Sequence, residues 1–73
     1  MLRRFTAILT REGDGFVALC PELDVVSQGD TVEEARSNLR EAVELFLECA
    51  SPQEIDERLH SEMYVTAFEV ASG

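Results

Sequence analysis

The stretch that decides the fold is CPELDVVSQGDTVEEA, from Cys20 to Ala35. Pro21 cannot donate a backbone hydrogen bond and closes one strand, and the apolar run after it predicts a third strand from Leu23 to Gln28. Thr31 and Glu34 have the spacing of a capping box, in which the threonine oxygen accepts a hydrogen bond from an amide of the first helical turn. The stretch therefore predicts a strand, a glycine turn and the start of a helix.

Two strands before this stretch are expected to form a hairpin. Apolar and polar residues alternate from Phe5 to Arg11, and Phe16 to Cys20 is a second run typical of a strand. Gly13 and Gly15 lie in the turn between them, where glycine adopts a positive φ at little cost. The predicted register pairs Glu12 with Gly15, Leu9 with Ala18, and Ile8 with Leu19.

The second half of the chain predicts two helices and a last strand. Apolar residues recur at helical spacing at Val32, Ala35, Leu39, Val43, Phe46 and Ala50. A second capping box, Ser51 to Glu54, starts a short helix that runs to about Leu59, and Glu62 to Val70 predicts a strand. Because crossovers are right-handed, we expect that strand to lie parallel to the first one. The predicted fold class is α+β, β-β-β-α-(short α)-β, with one four-stranded mixed sheet of order 3-2-1-4 and the main helix on one face.

Size and composition predict one folded domain over residues 1–73. With 45% hydrophobic residues the chain is too apolar to be disordered, and it has no apolar run long enough to span a bilayer. A domain of this size buries only about 60% of the surface of its unfolded chain. We therefore expect a homo-oligomer, a dimer or a tetramer, and no membrane association.

The net charge of −9 points to a class of partner. Fifteen acidic residues oppose six basic ones, so the field of the chain repels nucleic-acid phosphates. A nucleic acid is thus not expected as a partner of this chain alone, and a basic protein is the natural complement. The alternative is a regulator that binds nucleic acid through a composite surface of Arg3, Arg4 and Arg11 from neighbouring subunits.

The cysteines and the N-terminus predict a cytoplasmic protein without cofactors. Cys20 and Cys49 have no second Cys or His at metal-ligand spacing, so no metal site is expected. Polar residues interrupt the apolar stretch that a secretory signal would need after Arg3 and Arg4. In the reducing cytoplasm both cysteines are expected as small buried hydrophobic residues and not as a disulfide.

Both faces of the predicted sheet are partly apolar. In the hairpin register Leu9, Ala18 and Cys20 share one face, whereas Ile8, Val17 and Leu19 lie on the other. One main helix covers one face, so the second would expose an apolar patch of the kind found at protein interfaces. The predicted oligomer interface consists of Ile8, Val17 and Leu19 on the sheet with Leu45 and Leu47 on the flank of the helix. The alternative is that the short helix and the C-terminal segment cover this face.

Residues Phe5 to Glu48 resemble the N-terminal domain of the HicB antitoxin family. The motifs that carry the resemblance are P-x-L at Pro21 to Leu23, SQGDTVEEA at Ser27 to Ala35, and REAVELFLE at Arg40 to Glu48. The resemblance implies a partial ribonuclease H-like fold and binding of a small basic mRNA-cleaving toxin of the HicA type. Many HicB proteins continue into a DNA-binding segment that binds an operator, and we expect none here after Gly73.

The residues do not predict an enzyme. Ribonuclease H chemistry needs converging carboxylates on two metal ions, and the predicted first strand contains none. Glu41, Glu44 and Glu48 have the spacing of a solvated helix face, and the lone histidine, His60, is expected to act as a favourable charge at the C-terminal end of the short helix. No catalytic residue and no cofactor is therefore expected.

These observations predict a non-catalytic protein that binds and neutralises a small basic toxin. The expected partner-binding residues are the acids of the hairpin and of the loop after the second strand, Glu12, Asp14, Glu22 and Asp24, which would guide a basic partner. The alternative is an orphan oligomeric interaction domain, or the nucleic-acid regulator described above.

Overall fold

The computed structural model of the chain describes residues 3–59 and 63–73, and it confirms the α+β class. Three antiparallel strands in the order β1-β2-β3 precede two helices. The elements are β1 (Ile8–Glu12), β2 (Gly15–Cys20), β3 (Val25–Gly29), α1 (Val32–Cys49) and α2 (Pro52–Leu59).

The hairpin register is confirmed, but its two glycines have different roles. Glu12 pairs with Gly15, Leu9 with Ala18, and Ile8 with Leu19. Gly13 has a φ of 59°, as expected for the turn. Gly15 has no such φ; a Cβ at this position would lie 2.8 Å from the carbonyl oxygen of Gly29. Gly15 is therefore needed for the close approach of β2 to the end of β3, which the sequence pattern does not reveal.

β1 begins at Ile8 and not at Phe5. Its partner β2 ends at Cys20, and the proline that follows cannot donate a ladder hydrogen bond. The backbone amide of Thr6 instead donates to the carboxylate of Glu22, at 2.9 and 3.1 Å, and the Thr6 hydroxyl donates to it at 2.7 Å. A side chain thus replaces the ladder and fixes the segment before β1.

β3 begins at Val25 and not at Leu23, because a turn occupies the residues before it. Leu23 is fully buried in that turn and belongs to the core. Asp24 has a φ of 55°, in the left-handed region that aspartate tolerates better than most residues. The chain therefore reverses direction over Pro21 to Asp24 before the third strand starts.

The predicted start of α1 is confirmed, and its predicted apolar face is confirmed in part: Ala35, Leu39 and Val43 are buried, whereas Val32 is exposed and Ala50 is the C-cap. The Thr31 hydroxyl accepts a hydrogen bond of 3.0 Å from the amide of Glu34. The helix lies on the Ala18 face of the sheet, mainly over β3 and β2 and little over β1. The buried core consists of Ala18, Cys20, Leu23, Ala35, Leu39 and Val43.

α2 is capped as predicted and is attached to the turn before β3. The Ser51 hydroxyl accepts from the amide of Glu54 at 3.1 Å. Arg58 donates to the carbonyl oxygen of Leu23, and its guanidinium lies 4.8 Å from the centre of the Phe46 ring. One arginine thereby joins α2, α1 and the turn.

Residues 63–73 contain no strand and are all exposed. The sheet of the described residues therefore has the 3-2-1 part of the predicted order, without a fourth strand beside β1. The β-branched and aromatic residues of this segment favour a strand, but a strand also needs a partner edge for its backbone hydrogen bonds. Glu62, the predicted start of that strand, and His60 lie outside the described residues.

Candidate interaction surfaces

The sheet face opposite α1 carries an apolar row in register across all three strands. Ile8 pairs with Leu19, and Leu19 pairs with Val26. Val26 is 57% exposed and Ile8 38% exposed, whereas Leu19 and Val17 are half-buried. The structure thus places the three predicted sheet residues together and adds Val26, which alternation within β3 assigns to the same face.

The two helical residues predicted for the same interface lie elsewhere. α1 packs on the Ala18 face, so neither Leu45 nor Leu47 can join the row around Ile8. Leu45 is 60% exposed, while Leu47 is half-buried and packs against the core. The predicted oligomer interface is therefore divided between the two sides of the sheet.

The four acids predicted to bind a partner occupy opposite ends of the sheet. Glu12 and Asp14 lie at the β1–β2 turn, whereas Glu22 and Asp24 lie in the turn that leads to β3. The six residues of β2 separate the two pairs by roughly 20 Å at about 3.3 Å per residue. The four acids do not form one surface.

Glu22 is engaged within the chain. Partial burial would raise the pKa of its carboxyl, but the hydrogen bonds from the Thr6 hydroxyl and from backbone amides outweigh burial and hold the pKa below its ordinary value. The Cys20 thiol also donates to it at 3.5 Å. Burial, together with the nearby Glu22 carboxylate, raises the pKa of Cys20. Glu22 therefore has a structural role that its sequence position did not reveal.

At the hairpin end, acids from separate elements line one cleft of about 450 Å³. Glu12 comes from β1, Asp30 from the β3–α1 connection, and Glu34 from the first turn of α1. Phe16 forms an apolar wall, and the guanidinium of Arg11 lies 5.3 Å from the centre of its ring. The sequence assigned Asp30 and Glu34 only to the helix start. The proximity of Asp30 and Glu34 to Glu12 follows from the antiparallel order, which brings the hairpin turn and the last residue of β3 to the same end of the sheet.

The three arginines predicted to form a nucleic-acid surface lie in two locations. Arg11 lies at the hairpin, whereas Arg3 and Arg4 line a groove of about 1050 Å³ between the N-terminal segment and α1. Arg36 and Arg40 of α1 line the same groove, with Glu33 and Glu44 among its other polar residues. The predicted set of Arg3, Arg4 and Arg11 is not assembled within one chain, and the helix supplies the additional basic residues of the groove.

The described residues hold no group of three or more His, Cys, Asp or Glu side chains placed to bind a metal ion. Both cysteines are free thiols. Cys20 is buried as predicted, but Cys49 is exposed because it lies in the last turn of α1, outside the helix face that packs on the sheet. Within the described part of the chain, neither helix has the length and apolar character needed to cross a membrane.

Two curated proteins of Synechocystis sp. (strain ATCC 27184 / PCC 6803 / Kazusa) are similar to the chain. UPF0150 protein ssr1765 is 50% identical over 46 residues, which cover 60% of this chain and 58% of that protein. UPF0150 protein ssl0738 is 40% identical over 50 residues, which cover 66% of this chain and 69% of that protein. The chain thus spans less than two thirds of the first relative. No protein-family model matches the chain, and no solved structure matches it.

Proposed function

The chain belongs to the UPF0150 family, and from this premise we propose that it is a non-catalytic antitoxin-like protein that binds and neutralises a small basic toxin. The toxin is of the HicA type and cleaves mRNA, so both proteins act in the cytoplasm. The resemblance of Phe5 to Glu48 to HicB antitoxins and the net charge of −9 support this proposal.

The observation that carries the proposal is the acidic cleft at the hairpin end. Glu12, Asp30 and Glu34 line it, and Asp14 lies in the adjoining turn. The N-terminus of α1 carries the partial positive charge of the helix dipole, which opposes the negative charge of the cleft. The carboxylates of Glu33 and Glu34 in the first turn neutralise this positive charge locally. A basic side chain of a partner would meet carboxylates from three elements and the apolar wall of Phe16.

The acids in this surface act mainly on the rate of encounter. They are exposed, and salt screens exposed charges beyond about 8 Å at physiological ionic strength. Complementary charge raises association rates most at low salt, whereas buried apolar contacts govern dissociation. We assign the guiding role to Glu12 and Asp14 at this end, because at the other end of the sheet the Glu22 carboxylate already accepts hydrogen bonds from Thr6.

The homo-oligomer of this proposal uses the uncovered sheet face. Ile8, Leu19 and Val26 form its centre, flanked by Val17. A second copy related by a twofold axis would place the same row against itself, as symmetric dimers do. Val26→Lys puts a charge in the middle of this contact at an exposed position and is expected to weaken it without unfolding the monomer.

The proposal also retains a fourth strand beside β1. β1 is an edge strand whose outer backbone groups have no ladder partner among the described residues. Residues 63–70 are rich in the β-branched and aromatic residues that favour a strand. The resulting sheet has the order 3-2-1-4 and the partial ribonuclease H-like arrangement that the HicB resemblance implies.

A charge-reversal experiment tests the acidic cleft. Glu12→Lys with Asp14→Lys is expected to slow association with a small basic toxin of the HicA type by about tenfold or more at low salt, and to have less effect at high salt. Stopped-flow fluorescence measures the rate, and relief of translation arrest on co-expression measures neutralisation. Equal rates for the variant and the wild type at low salt would exclude the hairpin acids as the guiding surface.

The matched control changes the net charge by the same amount away from the cleft. Glu41→Lys with Glu48→Lys reverses two exposed acids on α1, and Glu48 lies about 24 Å along the helix axis from Val32. This control should slow association much less. If neither binding nor relief of toxicity occurs with the wild-type chain, the antitoxin proposal is wrong.

A further inference from the structure

The C-terminal segment, residues 63–73, extends from the body of the domain with its apolar side chains exposed. Tyr64 is 82% exposed and Phe68 84% exposed. The radius of gyration is 14.5 Å, compared with about 11 Å for a compact chain of this length. Apolar side chains held in water are unfavourable, at about 25 cal/mol for each Å². The segment therefore requires a surface to cover it.

Alternation divides the segment into two faces. If residues 63–70 form a strand, Tyr64, Phe68 and Val70 lie on one side, and Met63, Val65 and Glu69 on the other. The first side also carries Thr66 but no charged residue, so it suits a position beneath a helix. The second continues the mixed apolar and polar character of the uncovered sheet face.

The groove beside β1 is the surface that fits this segment. Phe5 and Leu47 line it, and both are half-buried hydrophobic residues that pack against the core. Because α1 lies mainly over β3 and β2, the space between α1 and the β1 side of the sheet is open. An added strand would pair with the free edge of β1 and place one face beneath α1.

Charge also favours this pairing. Arg3, Arg4, Arg36 and Arg40 line the groove with Glu33 and Glu44, giving it a net of two positive charges in a chain of net −9. Glu69 is the only charged side chain from 63 to 73. The groove of one copy would therefore meet less electrostatic repulsion from the C-terminal segment of a second copy than the acidic surfaces of the two copies would meet from each other.

We propose that residues 63–70 of one copy add as a strand to β1 in the groove of a second copy, and that the second copy returns the same segment. This inference rests on the proposed fourth strand and states that the strand in each sheet comes from the other copy. Only three residues separate Leu59 of α2 from Met63, and short connections favour exchange between copies over folding back. None of residues 63–73 belongs to the core or to the half-buried hydrophobic residues packed against it.

The area available is sufficient for a specific dimer. An aromatic side chain buries about 150–250 Å², so covering Tyr64 and Phe68 in both copies buries roughly 600–1,000 Å². Met63, Val65 and Val70 of each segment contribute further apolar area. The total reaches the roughly 1,200 Å² at which specific interfaces begin.

Light scattering on the full chain tests whether the segment holds two copies together. Tyr64→Asp with Phe68→Asp should halve the molar mass of the wild-type assembly, which is a multiple of 8.1 kDa, with unchanged helical circular dichroism. The control Ala71→Asp with Ser72→Asp adds the same charge beyond the strand and should leave the mass unchanged. A wild-type monomer, or an unchanged mass in the tail variant, would overturn the exchange.

Disulfide trapping separates exchange from pairing within one chain. In a Cys49→Ser background, a chain with Thr10→Cys in β1 is mixed with a differently tagged chain that carries Val65→Cys, Ala67→Cys or Glu69→Cys. Exchange predicts a disulfide between the two chains for at least one tail position. Gln28→Cys, on the same face of the opposite edge strand β3, is the matched control and should not cross-link.

The remaining outcomes are distinct. A disulfide that forms only within a chain carrying both cysteines would overturn the exchange and keep the fourth strand. No disulfide in either arrangement would overturn both. If the tail does not cross-link and the protein shifts a short RNA in a gel through Arg36 and Arg40, the occupant of the groove would be a nucleic acid. Neutralisation of the toxin is measured separately and can fail or succeed independently of these results.

Discussion

Replacing Gly29 with alanine should destabilise the junction between β3 and α1. A Cβ at this position would lie 2.5 Å from the backbone nitrogen of Ala35, 2.8 Å from the carbonyl carbon of Glu34 and 2.9 Å from the Ala35 Cα. All three are backbone atoms of the first turn of α1, so no side-chain rotation can make room. The strand end and the helix must separate by about 1 Å to reach ordinary van der Waals contact, and overpacking of this kind costs about 1–3 kcal/mol.

That cost is large for this domain. At about 0.05–0.15 kcal/mol per residue, 73 residues give a free energy of unfolding of about 4–11 kcal/mol. Gly29→Ala should therefore lower the melting temperature by about 4 °C or more, because 1 kcal/mol corresponds to about 4–8 °C in a domain of this size.

Thermal unfolding followed by circular dichroism at 222 nm measures the change. Gly73→Ala is the control, since a Cβ there meets no atom within 4 Å and the melting temperature should not change. If Gly29→Ala melts at the wild-type temperature, the close approach between β3 and α1 is not a constraint on the sequence, and the argument fails.

Two further substitutions test the turn between β2 and β3. Glu22→Gln should lower the free energy of unfolding at pH 7 by about 1.5 kcal/mol, since it removes a charged acceptor of hydrogen bonds from Thr6. Because the pKa of Glu22 is lowered on folding, its contribution is complete above the ordinary value of 4.5 and is lost as the pH falls through the folded pKa. Urea titrations should therefore show a larger wild-type advantage at pH 7 than at pH 3, and an equal advantage at both would contradict this role. Asp24→Val should cost about 1–3 kcal/mol, because a β-branched residue is strained at a φ of 55°, whereas Asp24→Asn should stay within about 0.5 kcal/mol in the same assay. Equal stability of the two Asp24 variants would show that the positive φ is not retained in solution.

The structure changes which acids are suitable for binding a partner. Glu22 is held by Thr6 and Cys20, so a partner would have to displace these contacts to use its carboxylate. Glu12 is joined by Asp30 and Glu34 in one cleft. The charge-reversal experiment is therefore directed at the hairpin end, and a substitution of Glu22 would report on folding together with any effect on binding.

Local signals in the sequence were sufficient for the order of the three strands, the hairpin register and the starts of the two helices, but not for the starts of β1 and β3. The hydroxyls of Thr31 and Ser51 cap α1 and α2 at the predicted residues, and the hairpin has the predicted register. These features depend on interactions between residues close together in the chain, namely capping bonds at three-residue spacing and a turn that aligns its two strands. The apolar spacing along α1 likewise identified Ala35, Leu39 and Val43 as its buried face.

The sequence by itself determined these local elements, the α+β class and the acidic charge of the chain. Only the tertiary structure decided that Gly15 and Gly29 are sites of close backbone approach, that Glu22 completes the segment before β1, and that Glu12 shares a cleft with Asp30. The physical reason is that most of these contacts join residues distant in sequence, while the contact of Gly29 with the first turn of α1 depends on how the helix sits across the sheet. The position of α1 over β3 and β2 leaves the groove beside β1 open, and no residue pattern within α1 specifies which strands it covers.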